Sequence, residues 1–476
     1  MAGDPPRGST GRVAVVSPYT GGVLGTVPDS DLADVARVVS RARTAAVPWA
    51  HTPIKERTSL LFRFRALVHE HLEELAQCVA CESGKTLGEA RAGLLKGLEV
   101  VEYATSLQNL PAGGALEVSQ GVLCEAHRVP LGVVCGITPF NFPAMVPMWM
   151  FPIAVTLGNA FILKPSEKVP LTATRLAELM RDAGYPEGVL SVVHGGSLAS
   201  EALIDHPDIS AVGFVGSTPV ARRVYARAAA HGKRVLALGG AKNPMILMPD
   251  ADPDVAITGV VSSFTGCAGQ RCMAGSVLLA VGTCDDLVDG ILRAASEIRL
   301  GTDMGALIDQ HARARLLAAI EQAAADGAAI RLDGRCATPP VAYPGGFWLG
   351  PTVLDNVTPQ SAAARQELFG PVLSIVRVST LEDALSFEAE SCFGNAVSVF
   401  TRDGSVARAV ALGCRSGMVG VNVGVPVPRE PFSFGGTRDS RFGSGDITGA
   451  GGVAFWSDLR KITSKWAPAV SGGWMS

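Results

Sequence analysis

The chain has little charge and few aromatic residues for its size. Of its 476 residues, 18% are charged and 6% are aromatic, whereas 47% are hydrophobic. The 41 basic and 44 acidic residues nearly cancel, which leaves a formal net charge of −3 and no basic stripe. Because nucleic-acid binding needs clustered positive charge, we expect no nucleic-acid partner. The composition favours a globular α/β protein, and the chain is longer than the roughly 250–300 residues at which single cores stop growing.

Long uninterrupted apolar runs are also missing. The most apolar stretch, Met145–Gly158, contains Pro147 and Pro152 and is too short to span a bilayer. The N-terminal residues are polar and lack the apolar core of a signal peptide, so we expect neither a signal peptide nor an anchor. These features predict a soluble, cytoplasmic protein with no membrane partner.

The cysteines form no compact framework. They are Cys78, Cys81, Cys124, Cys135, Cys267, Cys272, Cys284, Cys336, Cys392 and Cys414. This spread favours reduced thiols in a cytosol over a disulfide scaffold. Cys78 and Cys81 have CxxC spacing but lie inside a helical pattern, which favours a structural role. No second CxxC or histidine pair at metal-ligand spacing is present, so we expect no metal site.

The order of apolar segments predicts two α/β domains and a small β ribbon. After a loose tail over 1–11 and a hairpin over 13–27, helical spacing predicts helices over 31–47, 54–81 and 87–108. Alternating apolar residues predict a ribbon over 114–128. Beyond it, short strands alternate with helices twice, over 133–238 and 245–423, which predicts parallel sheets covered by helices. We therefore assign 1–113 with 131–240 to a dinucleotide-binding domain, 241–435 to a catalytic domain, and 114–130 with 436–476 to an oligomerisation and bridging segment.

A candidate nucleophile lies in the run Gly266–Ala274. Cys272 follows small residues that let the backbone approach a bound group, and Arg271 directly before it favours a thiolate. The alternative is a buried structural cysteine, as most cysteines in apolar surroundings are. Cys267 in the same run has no such support, so we assign it a structural role.

Two segments suit a dinucleotide. Lys164 and Glu167 follow an apolar strand, at the sheet edge where open α/β folds bind ligands. Both side chains can bond ribose hydroxyls, and Glu167 would repel a 2′-phosphate, which favours NAD over NADP; a solvated loop pair is the alternative. Gly216 and Ser217 end another strand, and a serine there can cap a helix whose N-terminus suits pyrophosphate. The full G-x-G-x-x-G pattern is absent.

Two loops carry further candidates. Asn141 is the only amide side chain of a proline-bracketed loop, Thr138–Pro143, and could donate to an oxyanion or bond within its own turn. Glu367 precedes a Phe-Gly-Pro turn and, taken alone, is a surface charge.

Together these stretches resemble the aldehyde dehydrogenase superfamily over nearly the whole chain. Further runs that carry this resemblance are Ser17–Gly21, Glu82–Lys85 and Ser433–Gly436. Three more runs are similar to the CoA-acylating methylmalonate-semialdehyde dehydrogenases: Phe140–Pro152, Gly269–Ala274 and Gly420–Val423. The resemblance implies an aldehyde dehydrogenase fold, with a Rossmann-like NAD-binding domain, an α/β catalytic domain and a small β oligomerisation ribbon. It also implies a homo-oligomer, either a dimer or a homotetramer.

The resemblance implies roles for individual residues. Cys272 would be the nucleophile, and Asn141 with the Cys272 backbone N–H would form the oxyanion hole. NAD would be held by Phe140, Lys164, Glu167, Gly216, Ser217, Glu367 and Phe369. The aldehyde would be held by Lys96, Phe142 and Arg271. Hydride transfer to NAD⁺ would then leave a thioester on Cys272.

The resemblance leaves the acyl acceptor to be decided. Hydrolytic members of the superfamily carry a glutamate that activates water, and the matching position here is Leu238, or Ala237 when the double glycine is aligned. Neither side chain can accept a proton, whereas the acylating members usually have asparagine there. A thiol such as coenzyme A needs less help from a base, so we expect CoA as the co-substrate.

A second departure concerns the substrate. The acylating members usually have arginine where this chain has Lys96, and that arginine joins the residue matching Arg271 in clamping the substrate carboxylate. Lysine keeps the charge but loses the bidentate fork. We therefore expect CoA-acylating oxidation of a short carboxylated aldehyde, such as methylmalonate or malonate semialdehyde, with loss of carbon dioxide. Two alternatives are a hydrolytic aldehyde dehydrogenase and a catalytically silent protein that keeps the fold.

Overall fold

The computed structural model describes residues 11–110 and 113–466. Its helices are α1 (Leu32–His51), α2 (Ile54–Glu70), α3 (Leu72–Ser83), α4 (Leu87–Ser106), α5 (Met145–Thr156), α6 (Pro170–Asp182), α7 (Ser197–Asp205), α8 (Thr218–Ala230), α9 (Pro253–Thr265), α10 (Asp285–Ser296), α11 (Gln310–Ala325), α12 (Ala362–Arg365), α13 (Leu381–Glu390), α14 (Gly404–Gly413) and α15 (Gly449–Phe455). Apart from Gly11, the tail predicted over 1–11 lies outside the described residues, as do 467–476.

The strands follow the predicted alternation closely. They are β1 (Arg12–Val16), β2 (Val23–Pro28), β3 (Ala115–Ser119), β4 (Val122–Pro130), β5 (Val133–Ile137), β6 (Ala160–Lys164), β7 (Leu190–Val192), β8 (Ile209–Val215), β9 (Arg234–Leu238), β10 (Asn243–Leu247), β11 (Gly275–Val281), β12 (Ala329–Leu332), β13 (Thr352–Asp355), β14 (Val372–Val378), β15 (Phe393–Gly394), β16 (Ala396–Phe400), β17 (Met418–Val421), β18 (Thr437–Arg438), β19 (Arg441–Gly443) and β20 (Ser457–Lys465).

The first α/β unit is built on a six-stranded sheet in the described part of the chain, with strand order β19-β9-β8-β5-β6-β7. Five strands are parallel, and β19 pairs antiparallel with β9. Every residue of β5 and β6 is buried, as expected for strands covered by helices on both faces. The predicted parallel sheet is therefore confirmed.

Helix α5 connects β5 to β6 and is buried along its whole length. A helix that is apolar all round belongs in a core, and α5 packs there beside α4, α2 and Trp456. Like the other described helices, α5 is not long and apolar enough to cross a membrane.

The second unit is a seven-stranded sheet among the described residues, with order β12-β13-β14-β11-β10-β16-β17. Its strands are parallel except for the β12–β13 pair. The strand β10 begins only a few residues after β9, so the two sheets are joined by the short loop Gly239–Lys242. That loop faces the candidate site.

The predicted ribbon gains a third strand. Strand β4 pairs antiparallel with β3 on one side and with β20 on the other. The added strand, β20 (Ser457–Lys465), comes from the predicted C-terminal bridging segment. Residues 441–443, which the sequence analysis places with the bridging segment, pair instead with β9 of the first sheet.

One predicted helix is wrong. The periodicity over 54–81 predicts a single helix, whereas the chain leaves helical geometry at His71 and forms α2 and α3. The apolar spacing continues through the break because both helices bury residues in the same core. Strand β13 and helices α13 and α15 were not predicted, since they are short and weakly patterned.

A buried carboxylate joins α3 to α6. Glu82 is fully buried, and its two carboxylate oxygens accept hydrogen bonds from the backbone N–H groups of Leu171 (2.8 Å) and Thr172 (3.1 Å). These donors belong to the first turn of α6 and have no partner within that helix. Burial raises the pKa of Glu82 to about 7. The carboxylate therefore acts as a cap supplied from a neighbouring helix.

We expect Glu82→Ala to destabilise the protein by about 1–3 kcal/mol, because two N–H groups at the buried start of α6 lose their acceptors. The melting temperature measures this effect. Glu73→Ala is the control, since Glu73 is exposed and pairs with Arg91 alone among the described residues, and an exposed pair of this kind contributes little to stability. Equal melting temperatures for the two variants would contradict the capping role.

Candidate active site

The loop that carries Cys272 has a constrained backbone. After α9 the chain makes a short 3-10 turn in which Cys267, Ala268 and Gly269 have φ values of 55°, 52° and 67°. A Cβ atom at Gly269 would lie 2.1 Å from the carbonyl oxygen of Gly370. This close approach brings the loop against the segment that follows Glu367, whereas the predicted approach of the backbone to a bound group stays a prediction.

Two asparagines hold the backbone at Cys272. The Nδ2 atoms of Asn243 and Asn395 donate to the Cys272 carbonyl oxygen at 2.7 Å and 3.0 Å. Both asparagines are buried, and they come from the start of β10 and the residue before β16. Cys272 as a whole residue is half-buried. The two bonds to its carbonyl oxygen orient the cysteine without using its sulfur, and sequence patterns did not identify either asparagine.

The charge balance at Cys272 differs from the prediction. Burial raises its pKa to about 12, and the negative charge of Glu367 acts in the same direction. Arg271 lowers the pKa as predicted, but its effect is smaller than that of either opposing cause. Arg271 therefore does not make Cys272 a thiolate, because desolvation dominates.

The two predicted carboxylate-binding cations have different partners. Arg271 Nη2 donates to the carbonyl oxygens of Ser262 and Ser263 near the end of α9, the second bond being 3.0 Å long. Among the described residues no carboxylate lies within salt-bridge distance of Arg271. Lys96 instead pairs with Glu99 at 2.5 Å on α4. Arg271 therefore keeps an unneutralised charge, whereas Lys96 does not.

The Asn141 loop follows β5. Asn141 is 6% exposed, and its amide has no hydrogen-bond partner within residues 11–110 and 113–466. The alternative that it bonds within its own turn is therefore not supported. Phe140 makes an edge-to-face contact with Phe369, with ring centroids 5.8 Å apart. The structure thus joins two of the predicted cofactor residues.

Lys164 and Glu167 form an ion pair at the end of β6, with Nζ and Oε2 3.6 Å apart. Lys164 is 4% exposed, so the alternative of a solvated loop pair does not hold for it. Burial lowers its pKa. Ser217 occupies the N-cap position of α8, but its side chain makes no capping bond. The predicted serine cap is therefore absent, which leaves the hydroxyl and the first N–H groups of α8 for a ligand.

The motif around Glu367, taken alone, indicates a surface charge, but the structure shows a half-buried carboxylate with a backbone partner. Its Oε1 accepts from the Ala241 backbone N–H at 3.0 Å, and a Cβ at Gly240 would lie 2.2 Å from its Oε2. Desolvation raises its pKa to about 7, opposed by Lys242 and Arg315. Lys242 is buried, and its Nζ has no hydrogen-bond partner in the described structure. Sequence reasoning missed Lys242, which directly follows the double glycine and alanine.

Leu238 and Ala237 lie at the end of β9 and are both buried. Leu238 belongs to the apolar cluster against which Cys272 packs, whereas Ala237 belongs to the cluster on the other side of the sheet. Leu238 therefore supplies an apolar surface on the side of the nucleophile. No group of residues in the described ranges has the composition of a metal site.

Cys267 has an unexpected partner. Lys85 Nζ lies 2.8 Å from the Cys267 Sγ, and Glu89 accepts from the Cys267 backbone N–H at 2.5 Å. Lys85 is 4% exposed and lies 4.0 Å from the centre of the Phe142 ring. Cys267 therefore fixes the nucleophile loop to the segment between α3 and α4, in line with the structural role predicted for it.

Comparison with known proteins gives one consistent result. The profile of the aldehyde dehydrogenase family matches residues 6–462. The malonate-semialdehyde dehydrogenase 1 of Geobacillus thermodenitrificans is 44% identical over 462 residues, which cover 95% of each chain. A crystal structure from Sinorhizobium meliloti 1021, designated a methylmalonate-semialdehyde dehydrogenase and complexed with NAD, has a TM-score of 0.95 and 42% identity, and the match covers 98% of this chain and 97% of that one.

A second structure agrees. The methylmalonate-semialdehyde dehydrogenase of Oceanimonas doudoroffii has a TM-score of 0.95 at 39% identity, with coverage of 98% of this chain and 97% of that chain. The predicted fold, two parallel-sheet units with a β ribbon, is confirmed by these neighbours.

The Lys85–Cys267 contact predicts an asymmetric effect on stability. Cys267→Ala should destabilise the protein by about 1–3 kcal/mol, since it leaves a buried ammonium without an acceptor. Combining it with Lys85→Met should recover part of that loss. The melting temperatures of the two single variants and the double variant measure this coupling. Cys135→Ala is the control, because Cys135 is buried but contacts no lysine ammonium within hydrogen-bond distance; equal losses in the two cysteine variants would argue against the contact.

Proposed function

Because the chain belongs to the aldehyde dehydrogenase family, we propose that it is an NAD-dependent enzyme that oxidises a short carboxylated aldehyde and transfers the acyl group to coenzyme A. Malonate semialdehyde and methylmalonate semialdehyde are the proposed substrates, on the similarity to the dehydrogenases named above. With these substrates the products are acetyl-CoA or propionyl-CoA and carbon dioxide. The observation that carries the proposal is a held cysteine, Cys272, together with the buried, apolar Leu238 at the position where a water-activating carboxylate would be expected.

The proposed chemistry begins at the Cys272 sulfur. Its attack on the aldehyde carbon produces a hemithioacetal oxyanion, and the unpartnered Asn141 amide with the Cys272 backbone N–H would donate to that oxygen. Loss of hydride from the same carbon then leaves a thioester on Cys272. The two bonds to the Cys272 carbonyl oxygen support this role, because they hold the backbone on which the oxyanion hole is built.

The residues at the first sheet fit NAD. The buried Lys164 amine has Glu167 as its salt-bridge partner and remains available for ribose hydroxyls, while the uncapped start of α8 at Ser217 offers N–H groups to a pyrophosphate. Phe140 and Phe369 form an aromatic wall, and Glu367 would accept from the nicotinamide ribose. Bound NAD⁺ supplies the hydride acceptor. We propose NAD over NADP because Glu167 would repel a 2′-phosphate.

The substrate carboxylate would meet Arg271. Its guanidinium has backbone carbonyls but no carboxylate as partner among the described residues, so a carboxylated aldehyde would supply the missing negative charge. Lys96 would add less than predicted, because Glu99 already neutralises it. Phe142 would line the apolar side of the same space, next to Lys85.

We also propose a cytoplasmic homo-oligomer, either a dimer or a tetramer. The ribbon of β3, β4 and β20 exposes apolar side chains that a partner would cover: Leu116, Val118, Leu123, Leu459 and Ile462. All ten cysteines are free thiols, which suits a reducing compartment.

Hydrolysis to a free acid is the second candidate function. The observation in its favour is Glu367, a carboxylate whose charge acts on Cys272 although it lies far from Leu238 in sequence. A water molecule activated by Glu367 would release the acid without CoA.

The test measures NADH formation with malonate and methylmalonate semialdehydes, with and without CoA, together with the identity of the product. We expect turnover to require CoA and to yield an acyl-CoA and carbon dioxide. Turnover that ignores CoA and yields free acid would establish the hydrolytic alternative. Cys272→Ala should remove turnover completely, and activity retained in that variant would refute the nucleophile. The intact protein giving no aldehyde-dependent NADH would indicate a catalytically silent member of the family.

Asn141→Ala should lower kcat about 100- to 1000-fold while leaving KM for NAD nearly unchanged, because one oxyanion donor is lost. Steady-state kinetics on the semialdehyde measure both constants. Asn243→Ala is a useful comparison, since Asn243 holds the Cys272 carbonyl oxygen and its loss should also lower the melting temperature. A decrease in kcat that follows the loss of stability in both variants would contradict a direct role for Asn141.

A further inference from the structure

The segment that begins at Glu367 contacts two backbone segments that lead to Cys272. The Gly269–Gly370 contact brings the nucleophile loop against the segment that follows Glu367. On the other side, the Glu367 carboxylate rests on the backbone of Gly240 and Ala241, in the loop that leads to the Asn243 that holds Cys272. Glu367 is also the one carboxylate that affects the ionisation of Cys272 within the described residues.

We propose that Glu367 is the general base that accepts the thiol proton of the acyl acceptor when the acyl group leaves Cys272. This inference rests on the proposed function, because it requires a thiol acceptor such as coenzyme A. Leu238 leaves no base at the position where the resemblance places one in hydrolytic members, and Glu367 is the carboxylate whose charge acts on Cys272 among the described residues. In this role the Glu367 carboxylate would act from its position on Gly240 and Ala241, after the reduced cofactor has left.

In the acyl transfer, Glu367 carries one proton from the acceptor thiol to the sulfur of Cys272. The acceptor sulfur forms a bond to the acyl carbon while its proton passes to the Glu367 carboxylate, and the bond from Cys272 Sγ to the carbon breaks. Sγ leaves with the electron pair as a thiolate. The proton on Glu367 then passes to that thiolate, which restores a neutral thiol beside an ionised carboxylate. No oxidant or further reactant is needed.

The pKa values of Glu367 and Cys272 support transfer of the proton from the Glu367 carboxyl group to the Cys272 thiolate. The pKa of Glu367 is about 7 and that of Cys272 about 12, so the proton belongs on Cys272 when both compete for it. A base with a pKa near 7 is ionised and still basic enough at neutral pH to accept a proton from a thiol, whose ordinary pKa is about 8.5. Both residues are half-buried.

The charged groups that face Glu367 define its titration. Lys242, before β10, and Arg315, on α11, both lower its pKa, and the Ala241 N–H bond acts in the same direction. Cys272 is neutral at neutral pH and adds no opposing charge. Lys242 is a positioning and tuning residue in this scheme, because its amine has no other partner and Glu367 is the charge that acts on it.

The experiment isolates acyl transfer from cofactor binding. Cys272 is acylated with p-nitrophenyl propionate in the absence of NAD, excess ester is removed, and the decay of the propionyl-enzyme after addition of CoA is followed by intact-protein mass spectrometry across pH. In the wild type we expect the rate to rise through a midpoint near 7, as Glu367 loses its proton. Glu367→Gln should slow the transfer about 100-fold at pH 7 and move the midpoint toward the acceptor thiol's own pKa, about 8.5.

Two further measurements separate a base from a merely structural carboxylate. An acidic aromatic thiol that is already ionised at pH 7 needs no base, so Glu367→Gln should slow its reaction far less than that of CoA. Lys242→Met removes the charge that lowers the pKa of Glu367, so it should move the wild-type midpoint to higher pH. A midpoint that stays near 7 in both variants would overturn the proposal.

The outcomes distinguish a failure of the Glu367 assignment from a failure of the proposed CoA-acylating function. CoA transfer that Glu367→Gln does not slow would overturn the base assignment and leave the proposed function intact. A wild-type propionyl-enzyme that decays to propionate at a rate independent of CoA would overturn the proposed acyl acceptor and this inference with it.

Discussion

The candidate site depends on one backbone contact, the approach of Gly269 to the carbonyl oxygen of Gly370. A side chain at Gly269 would separate the two loops, and a side chain at Gly370 would instead meet Leu316 of α11. The contact gives the nucleophile loop its left-handed turn and sets Cys272 near the Glu367 segment. Asn243 and Asn395 then fix the cysteine from the opposite side. The geometry of the nucleophile is thus determined by three separate parts of the second sheet and its loops.

The same arrangement determines the electrostatics. Desolvation and the carboxylate of Glu367 both favour the neutral thiol of Cys272, and Arg271 does not outweigh them. A protonated resting cysteine is a weak nucleophile and also a less oxidisable one, since the thiolate is the reactive form. Activation therefore depends on what enters the site. A bound group that draws Glu367 away from Gly240 and Ala241 would remove the larger opposing charge, which couples cofactor binding to the ionisation of the nucleophile.

Much of the fold could be predicted from the apolar pattern. For example, β5, β6 and α5 are buried on all sides, and their residues are almost all apolar. The break at His71 could not, since neither proline nor glycine marks it and both helices face one core. In the site, Cys272 and Asn141 carry recognisable local patterns. Lys242, Asn243 and Asn395 do not, because their roles arise from loops that meet only in three dimensions. The sequence correctly predicts that Arg271 lowers the Cys272 pKa. It does not reveal that burial and Glu367 raise this pKa by more, because both causes depend on the folded structure.

The consequence of Leu238 for the choice of acyl acceptor is best seen by comparing it with Glu367. An apolar residue at this place supplies no base, and its side chain offers no hydrogen-bond partner to a water molecule. The carboxylate whose charge acts on Cys272 is that of Glu367, which rests on the Gly239–Lys242 loop. A small hydrolytic nucleophile needs a base that positions it, whereas a thiol is the better nucleophile and needs only a place for its proton. The chain has no base at Leu238 but keeps a proton acceptor at Glu367. This arrangement therefore favours a thiol over water as the acyl acceptor.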